Sequence, residues 1–216
     1  MEYLLKNLEK SGVLTSNTVY DAMKQVDRAD FTSSAYAYAD SPQSISFNAT
    51  ISAPHMHCHA LQYLESYLTP GAHVLDVGFG SGYLTVALSK MIKDSGVVVG
   101  VEHIPQLYDF GKKNISKHHK NLLDEKKIVL INDDGRKGCK TYAPYKVIHV
   151  GAAADKIPQD LIDQLDKGGR MFIPVGTWDQ WIKVIDKDNQ GNIKEKKVMG
   201  VRYVPLTDKK KQLSGY

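Results

Sequence analysis

Residues 75–88 read LDVGFGSGYLTVAL. The apolar run that leads into them, HVLDV at 73–77, has the length and composition of a buried strand, closed by Asp76. Gly78, Gly80 and Gly82 follow at alternate positions, and the helix-forming segment YLTVALSKMI begins at once. Glycine admits positive φ and lets a ligand approach the backbone. The first turn of the following helix offers N–H groups with no partner inside the helix. A bare strand-to-helix turn would use the same residues, but three alternating glycines are costly for a turn alone. The spacing is G-x-G-x-G. It is neither the G-x-G-x-x-G of dinucleotide sites nor a phosphate loop ending in Gly-Lys-Ser/Thr.

On both sides of this turn, apolar runs alternate with helical periodicities. VVVGVE (97–102), KIVLIND (127–133), YKVIHVG (145–151) and GGRMFIPVG (168–176) read as strands. MHCHALQYLESYL (56–68), PQLYDFGKKNISKHH (105–119) and PQDLIDQL (158–165) read as helices. Such alternation predicts a mostly parallel sheet covered on both faces. The alternation stops at WIKVIDKDNQGNIKEKKVMGVRYVPL (181–206), where two or three strands surround an Asn-Gln-Gly-Asn turn. That predicts an antiparallel hairpin on the sheet edge. At the N-terminus, Leu4, Leu5 and Leu8, then Val19, Ala22, Met23 and Val26, mark two short amphipathic helices. The stretch FTSSAYAYADSPQSISFNATISAP (31–54) has no period and reads as a long functional loop.

The strand ends describe a ligand. Glu102 ends the second strand, beyond the glycines, where an acid accepts hydrogen bonds from ribose hydroxyls. Asp134, in NDDGR after the third strand, could accept from an adenine amino group, although Asp133 and Asp134 equally suit an ordinary turn. A nucleoside without a pyrophosphate fits the glycine spacing better than NAD does. S-adenosylmethionine is the candidate, with its sulfonium and amino-acid ends over the glycine turn.

Bulk properties narrow the class. The 216 residues suit one domain with a real core; 42% are hydrophobic and 24% charged, as in ordinary globular chains. No apolar stretch approaches the roughly 18 residues of a membrane span, and MEYLLKNLEKSG lacks the apolar centre of a secretory signal. Two cysteines, Cys58 and Cys139, give no disulfide framework, so a cytoplasmic location is expected. The net charge of +4 is mild, and the lysines lie in short runs mixed with acids. A coherent basic face for nucleic acid is not expected.

Several segments together resemble the protein-L-isoaspartate O-methyltransferases: DSPQSISFNATISAPHMHCHAL (40–61), LDVGFGSGYLT (75–85), VIHVGAAA (147–154), IPQDLIDQLDKGGRMFIPVG (157–176) and YVPLTDKKKQ (203–212). The resemblance spans roughly residues 4 to 213. It implies a Rossmann-like class I methyltransferase fold: a single α/β domain over 1–216, with a helical and loop covering segment (1–57) and a sheet core (58–216). The sheet would have seven strands, mostly parallel, with an antiparallel C-terminal strand. It implies methyl transfer from S-adenosylmethionine, leaving S-adenosylhomocysteine, to the α-carboxylate of isoaspartyl residues in proteins and peptides. The methyl ester then collapses to a succinimide, which hydrolyses partly to normal aspartate. Carried over by motif, Ala49, Thr50, Ile51 and Ser52 line the cofactor, with Ser52 in the active-site position. His57, Ser81, Glu102, His103, Asp134, Gly135, Thr207 and Gln212 complete the pocket, beside Asp76, Gly78 and Gly80 of the glycine turn. Three positions depart from the family pattern: Phe79 stands for a small residue, Glu102 for an aspartate and Asp133 for a glycine. Phe79 is expected to narrow the pocket or to stack near the cofactor.

The chemistry bears on the histidines of ISAPHMHCHA (51–60). The acceptor carboxylate is already ionised at neutral pH, and the leaving group is a neutral thioether. Transfer therefore needs alignment and exclusion of water, not a metal or a strong base. His55 and His59, at i and i+4, could supply two zinc ligands, but no distant ligand set completes a shell. The expectation is no metal, Ser52 as an orienter of the carboxylate, and a monomer. The alternatives are a class I methyltransferase with another acceptor, and a cofactor-binding module that has lost catalysis.

Overall fold

The structure, a computed structural model, describes residues 1–215. Seven strands form the central sheet: β3 (His73–Val77), β4 (Val97–Val101), β5 (Ile128–Ile131), β6 (Tyr145–Val150), β7 (Leu165–Val175), β8 (Gln180–Lys187) and β9 (Ile193–Val201). Their order is β5-β4-β3-β6-β7-β8-β9. The first five pair in parallel, while the β7–β8 and β8–β9 ladders are antiparallel. The reversal thus falls at β8, after the alternation of strands and helices ends. The turn at 188–192 is closed by Asp188, whose carboxylate accepts from the N–H groups of Gln190 and Asn192.

Alternation along each strand divides the core between the two faces. Val74, Val98, Val147 and Phe172 point to one face, with α1 (Glu2–Lys10), α2 (Asn17–Lys24), α3 (Pro54–Leu64), α4 (Tyr83–Met91) and α5 (Pro105–His118). Leu75, Val99, Ile148 and Met171 point to the other, with α7 (Gln159–Gln164). The N-terminal helices join the first of these cores: Leu5, Val19 and Met23 are fully buried. Ser16 caps α2 by accepting from the Val19 N–H, and Pro54 and Pro105 open α3 and α5, where a missing N–H costs nothing. Among the described residues no helix is long and apolar enough to cross a membrane.

Three places depart from the sequence reading. The loop of 31–54 contains a short ladder, β1 (Gln43–Ser44) with β2 (Thr50–Ile51). Its turn places Ser46, Phe47 and Asn48 successively at φ 73°, 53° and 55°. Two short helices were also not foreseen: α6 (Lys120–Asp124) and α8 (Lys209–Ser214). The lysine run DKKK reads as solvated surface, yet Asp208 begins α8 by accepting from the Lys211 N–H.

Candidate active site

The C-terminal ends of β3, β4, β5 and β6 open onto one cavity. Its floor is the glycine turn. Gly78, Gly80 and Gly82 have φ of 75°, 48° and 86°, so the turn needs glycine for its backbone and not only for room. A Cβ on Gly80 would stand 3.1 Å from Ile45, the residue that roofs the turn from the β1–β2 segment. Ala49, Thr50, Gly78, Gly80, Glu102, His103, Asp134, Gly135, Thr207 and Gln212 all line this cavity. An arm beneath the glycine turn is lined by Ile51, Ser52, His57, Asp76 and Ser81, with Thr50, Gly78 and Gly80 shared. Every residue named from the sequence therefore borders one or both of two adjoining spaces that share Thr50, Gly78 and Gly80.

Their chemistry differs in detail. Glu102 is buried, and burial pushes its carboxyl above the usual range against the pull of backbone donors. One oxygen accepts from the Gly80 N–H at 3.2 Å, the other from Ile104 N–H at 3.0 Å. Glu102 thus ties the end of β4 to the glycine turn. Asp134 is drawn below its usual pKa by Arg136, whose guanidinium binds it in a fork at 2.7–3.1 Å. Asp76 is buried with both oxygens engaged, by Thr85 Oγ1 at 2.6 Å and His149 Nδ1 at 2.8 Å. Asp76, His149 and Phe172 are register partners across β3, β6 and β7, and the two rings stack at 6.0 Å. Asp76 is therefore a brace under the cavity as well as part of its lining.

Gln212 acts as a latch. Its Oε1 accepts from His103 Nε2 at 2.6 Å, its Nε2 donates to the Phe47 carbonyl at 2.8 Å, and its backbone carbonyl accepts from Asn48 Nδ2 at 2.9 Å. One residue of α8 so ties the end of β4 to the left-handed turn of the covering segment.

A second, outer cavity is lined by Ser52, His55, Arg202 and Tyr203 among others, and by no aspartate or glutamate. Thr50 and Gly151 border all three spaces, and Ser52 borders the arm and the outer cavity. Burial pushes the Tyr203 phenol up to about 12, partly offset by the Ser52 hydroxyl beside it. Both Tyr203 and the Gln180 that clamps its backbone were missed from the sequence, as were Gly151 and His149. A histidine inside the apolar strand VIHVG was the one readable signal among them.

The histidines of α3 separate by environment. His57 is buried against Tyr83 with ring centroids 4.8 Å apart; burial and the neighbouring Arg28 guanidinium hold it well below its usual pKa, hence neutral. Arg28 is itself buried behind His57 and donates to the Ala37 carbonyl at 2.9 Å. His55 is held by Asp40 at 2.9 Å. No group of three or more metal-ligating side chains occurs among the described residues. Cys58 is buried and its thiol is pushed up to about 12 by desolvation, which leaves no thiolate at neutral pH.

Phe79 both borders the arm and packs into the core. Although it touches the arm, its ring fits between β4 and α5. A Cβ on Gly100 or Gly111 would lie 2.9 or 2.6 Å from its ring carbons, and Tyr108 meets it edge-on at 6.0 Å. The large residue is matched by two glycines.

The comparisons with known proteins agree with this geometry. A Caenorhabditis elegans protein-L-isoaspartate O-methyltransferase is 51% identical over 97% of this chain and 93% of its own length. The Arabidopsis thaliana protein-L-isoaspartate O-methyltransferase 1 is 49% identical over 98% and 93%. A solved Plasmodium falciparum chain, assigned as a protein-L-isoaspartate O-methyltransferase and in complex with S-adenosyl-L-homocysteine, superposes with a TM-score of 0.89 at 33% identity, covering 95% of this chain and 97% of that one. The family model for protein-L-isoaspartate(D-aspartate) O-methyltransferase matches residues 1–211. With a cavity at the strand ends and an outer cavity beside it, and with these relatives matched over nearly its whole length, the chain belongs to the protein-L-isoaspartate(D-aspartate) O-methyltransferase family.

Proposed function

We propose that this chain transfers a methyl group from S-adenosylmethionine to the α-carboxylate of L-isoaspartyl residues in damaged proteins and peptides. The observation that carries the reading is the place of Ser52, half-buried where the arm under the glycine turn meets the outer cavity. When bound, S-adenosylmethionine supplies an electrophilic methyl on a sulfonium. Glu102 would hold the ribose, and Asp134 and Gly135 the adenine side. His57, Asp76 and Ser81 would border the amino-acid end, with Thr207 and Gln212 closing the cover.

The residues around the acceptor suit an anion. The acceptor carboxyl has an ordinary pKa of about 3.5 and arrives ionised. Ser52 hydrogen-bonds one of its oxygens and directs the other toward the inner cavity. Tyr203, with a phenol titrating at about 12, stays protonated and cannot serve as a base; His57, neutral and buried, adds no charge to repel a sulfonium. Rate then comes from alignment and from water excluded by the covering segment. We read residues 1–57 as that cover and 58–216 as the core of one methyltransferase domain. It would act as a monomer in a cytoplasm that keeps its two thiols reduced.

The test is Ser52→Ala. A hydrogen bond to a charged group contributes about 1.5–3 kcal/mol. Turnover on an isoaspartyl peptide should therefore fall about tenfold to a hundredfold, with S-adenosylhomocysteine affinity kept. A variant that binds the cofactor product and retains full turnover removes Ser52 from the mechanism.

A further inference from the structure

The outer cavity holds an uncommitted cation. Of the four arginines in the sequence, three have partners inside the protein. Arg28 donates to the Ala37 carbonyl, Arg136 grips Asp134 and Arg170 grips Asp186. Arg202 is exposed and lines the outer cavity, and among the described residues it makes no hydrogen bond or ion pair. The chain just beyond it is fixed: the Tyr203 N–H donates to Gln180 Oε1 at 2.6 Å, Gln180 Nε2 donates to the Tyr203 carbonyl at 3.1 Å, and the Ala153 N–H donates to the Val204 carbonyl at 2.8 Å. The guanidinium therefore stands on an anchored backbone and lines a cavity with no carboxylate among its lining residues.

We infer that Arg202 is a specificity-determining residue that favours isoaspartyl sites flanked by an acidic side chain. This rests on the isoaspartyl reading above. The reacting carboxylate must reach Ser52, so the Arg202 guanidinium meets neighbouring residues of the substrate. In an extended peptide these lie about 3.3 Å apart per residue, which brings one or two on either side within reach. A guanidinium matches a carboxylate in a planar, two-bond geometry. No internal pair has to be broken first. Neutral flanks are accepted through main-chain contacts; charge is where the site discriminates.

The experiment uses isoaspartyl peptides that differ only by Glu, Gln or Lys placed next to the isoaspartyl residue, before or after it. Each is methylated with labelled S-adenosylmethionine by the wild-type chain, R202Q and R202E. S-adenosylhomocysteine binding monitors folding of the variants. In the wild type kcat/KM for the better-placed Glu peptide should exceed that of its Gln counterpart about fivefold, or about 1 kcal/mol, the upper range of an exposed ion pair. The ratio should collapse toward one in R202Q, favour Lys in R202E, and shrink at high salt in the wild type. A wild-type ratio of one at both positions, or a ratio that survives in R202Q, overturns the inference while leaving the reaction intact. Labelling of none of the peptides overturns the acceptor reading and the inference with it.

Discussion

Replacing Gln212 by alanine should loosen the cover over the inner cavity without unfolding the protein. The substitution deletes the bonds to His103 at 2.6 Å and to the Phe47 carbonyl at 2.8 Å, and leaves the backbone bond from Asn48 in place. At about 0.5–1.5 kcal/mol each, the two deleted bonds contribute about 1–3 kcal/mol. They hold a turn that resists its own conformation: Ser46, Phe47 and Asn48 are all left-handed, at about 1–2 kcal/mol per residue, with asparagine the most tolerant of the three. The strain, about 3–6 kcal/mol over the three residues, is at least as large as the restraint, so removing the latch tips the turn toward relaxation. Calorimetric titration with S-adenosylhomocysteine should show Kd rising about fivefold to a hundredfold. The Tm should move little, because α8 and the surface turn open locally. Gln212→Glu keeps the acceptor for His103 but loses the donor to Phe47, and should fall between wild type and alanine. An alanine variant with unchanged Kd would refute the latch.

Phe79→Ala should leave S-adenosylhomocysteine affinity near wild type while lowering Tm by on the order of 10 °C, since a buried Phe→Ala costs about 3–5 kcal/mol and each kcal/mol shifts a chain of this size by about 2–4 °C; a large affinity change with no loss of Tm would return the ring to the cavity. Arg136→Ala should flatten the acid limb of the stability–pH profile. Because Arg136 lowers the folded pKa of Asp134, the pair's contribution is complete above the unfolded value of about 3.9 and is lost as pH falls through the lower folded value. Urea unfolding of both proteins from about pH 5 down to about pH 2 measures the difference, and parallel profiles would remove the fork from the stability of the site.

What could be read from the sequence was what local chemistry dictates. Glycines at 78, 80 and 82 announce positive φ because little else adopts it. Glu102 and Asp134 follow apolar runs that can only be strand ends, so their shared edge of the sheet follows from the parallel topology. The partners of these residues were a different matter. That Asp76 is gripped by His149 depends on the register of β3 against β6. That Asp134 is held by Arg136, two residues away, depends on the rotation of a single 3-10 turn. The contact of Gln212 with Phe47 joins segments 165 residues apart, and no periodicity encodes it. Phe79 shows the limit most plainly: beside its neighbours in sequence it looks obstructive, and only the packing of β4 on α5 shows that Gly100 and Gly111 make room for it.

The central claim concerns the acceptor. It is tested most directly by methyl transfer from labelled S-adenosylmethionine to two peptides of one sequence, one with isoaspartate and the other with normal aspartate. Label incorporated only into the isoaspartyl peptide, as a base-labile ester, is the expected result. Equal labelling of both peptides, or of neither while S-adenosylhomocysteine still binds, would contradict it.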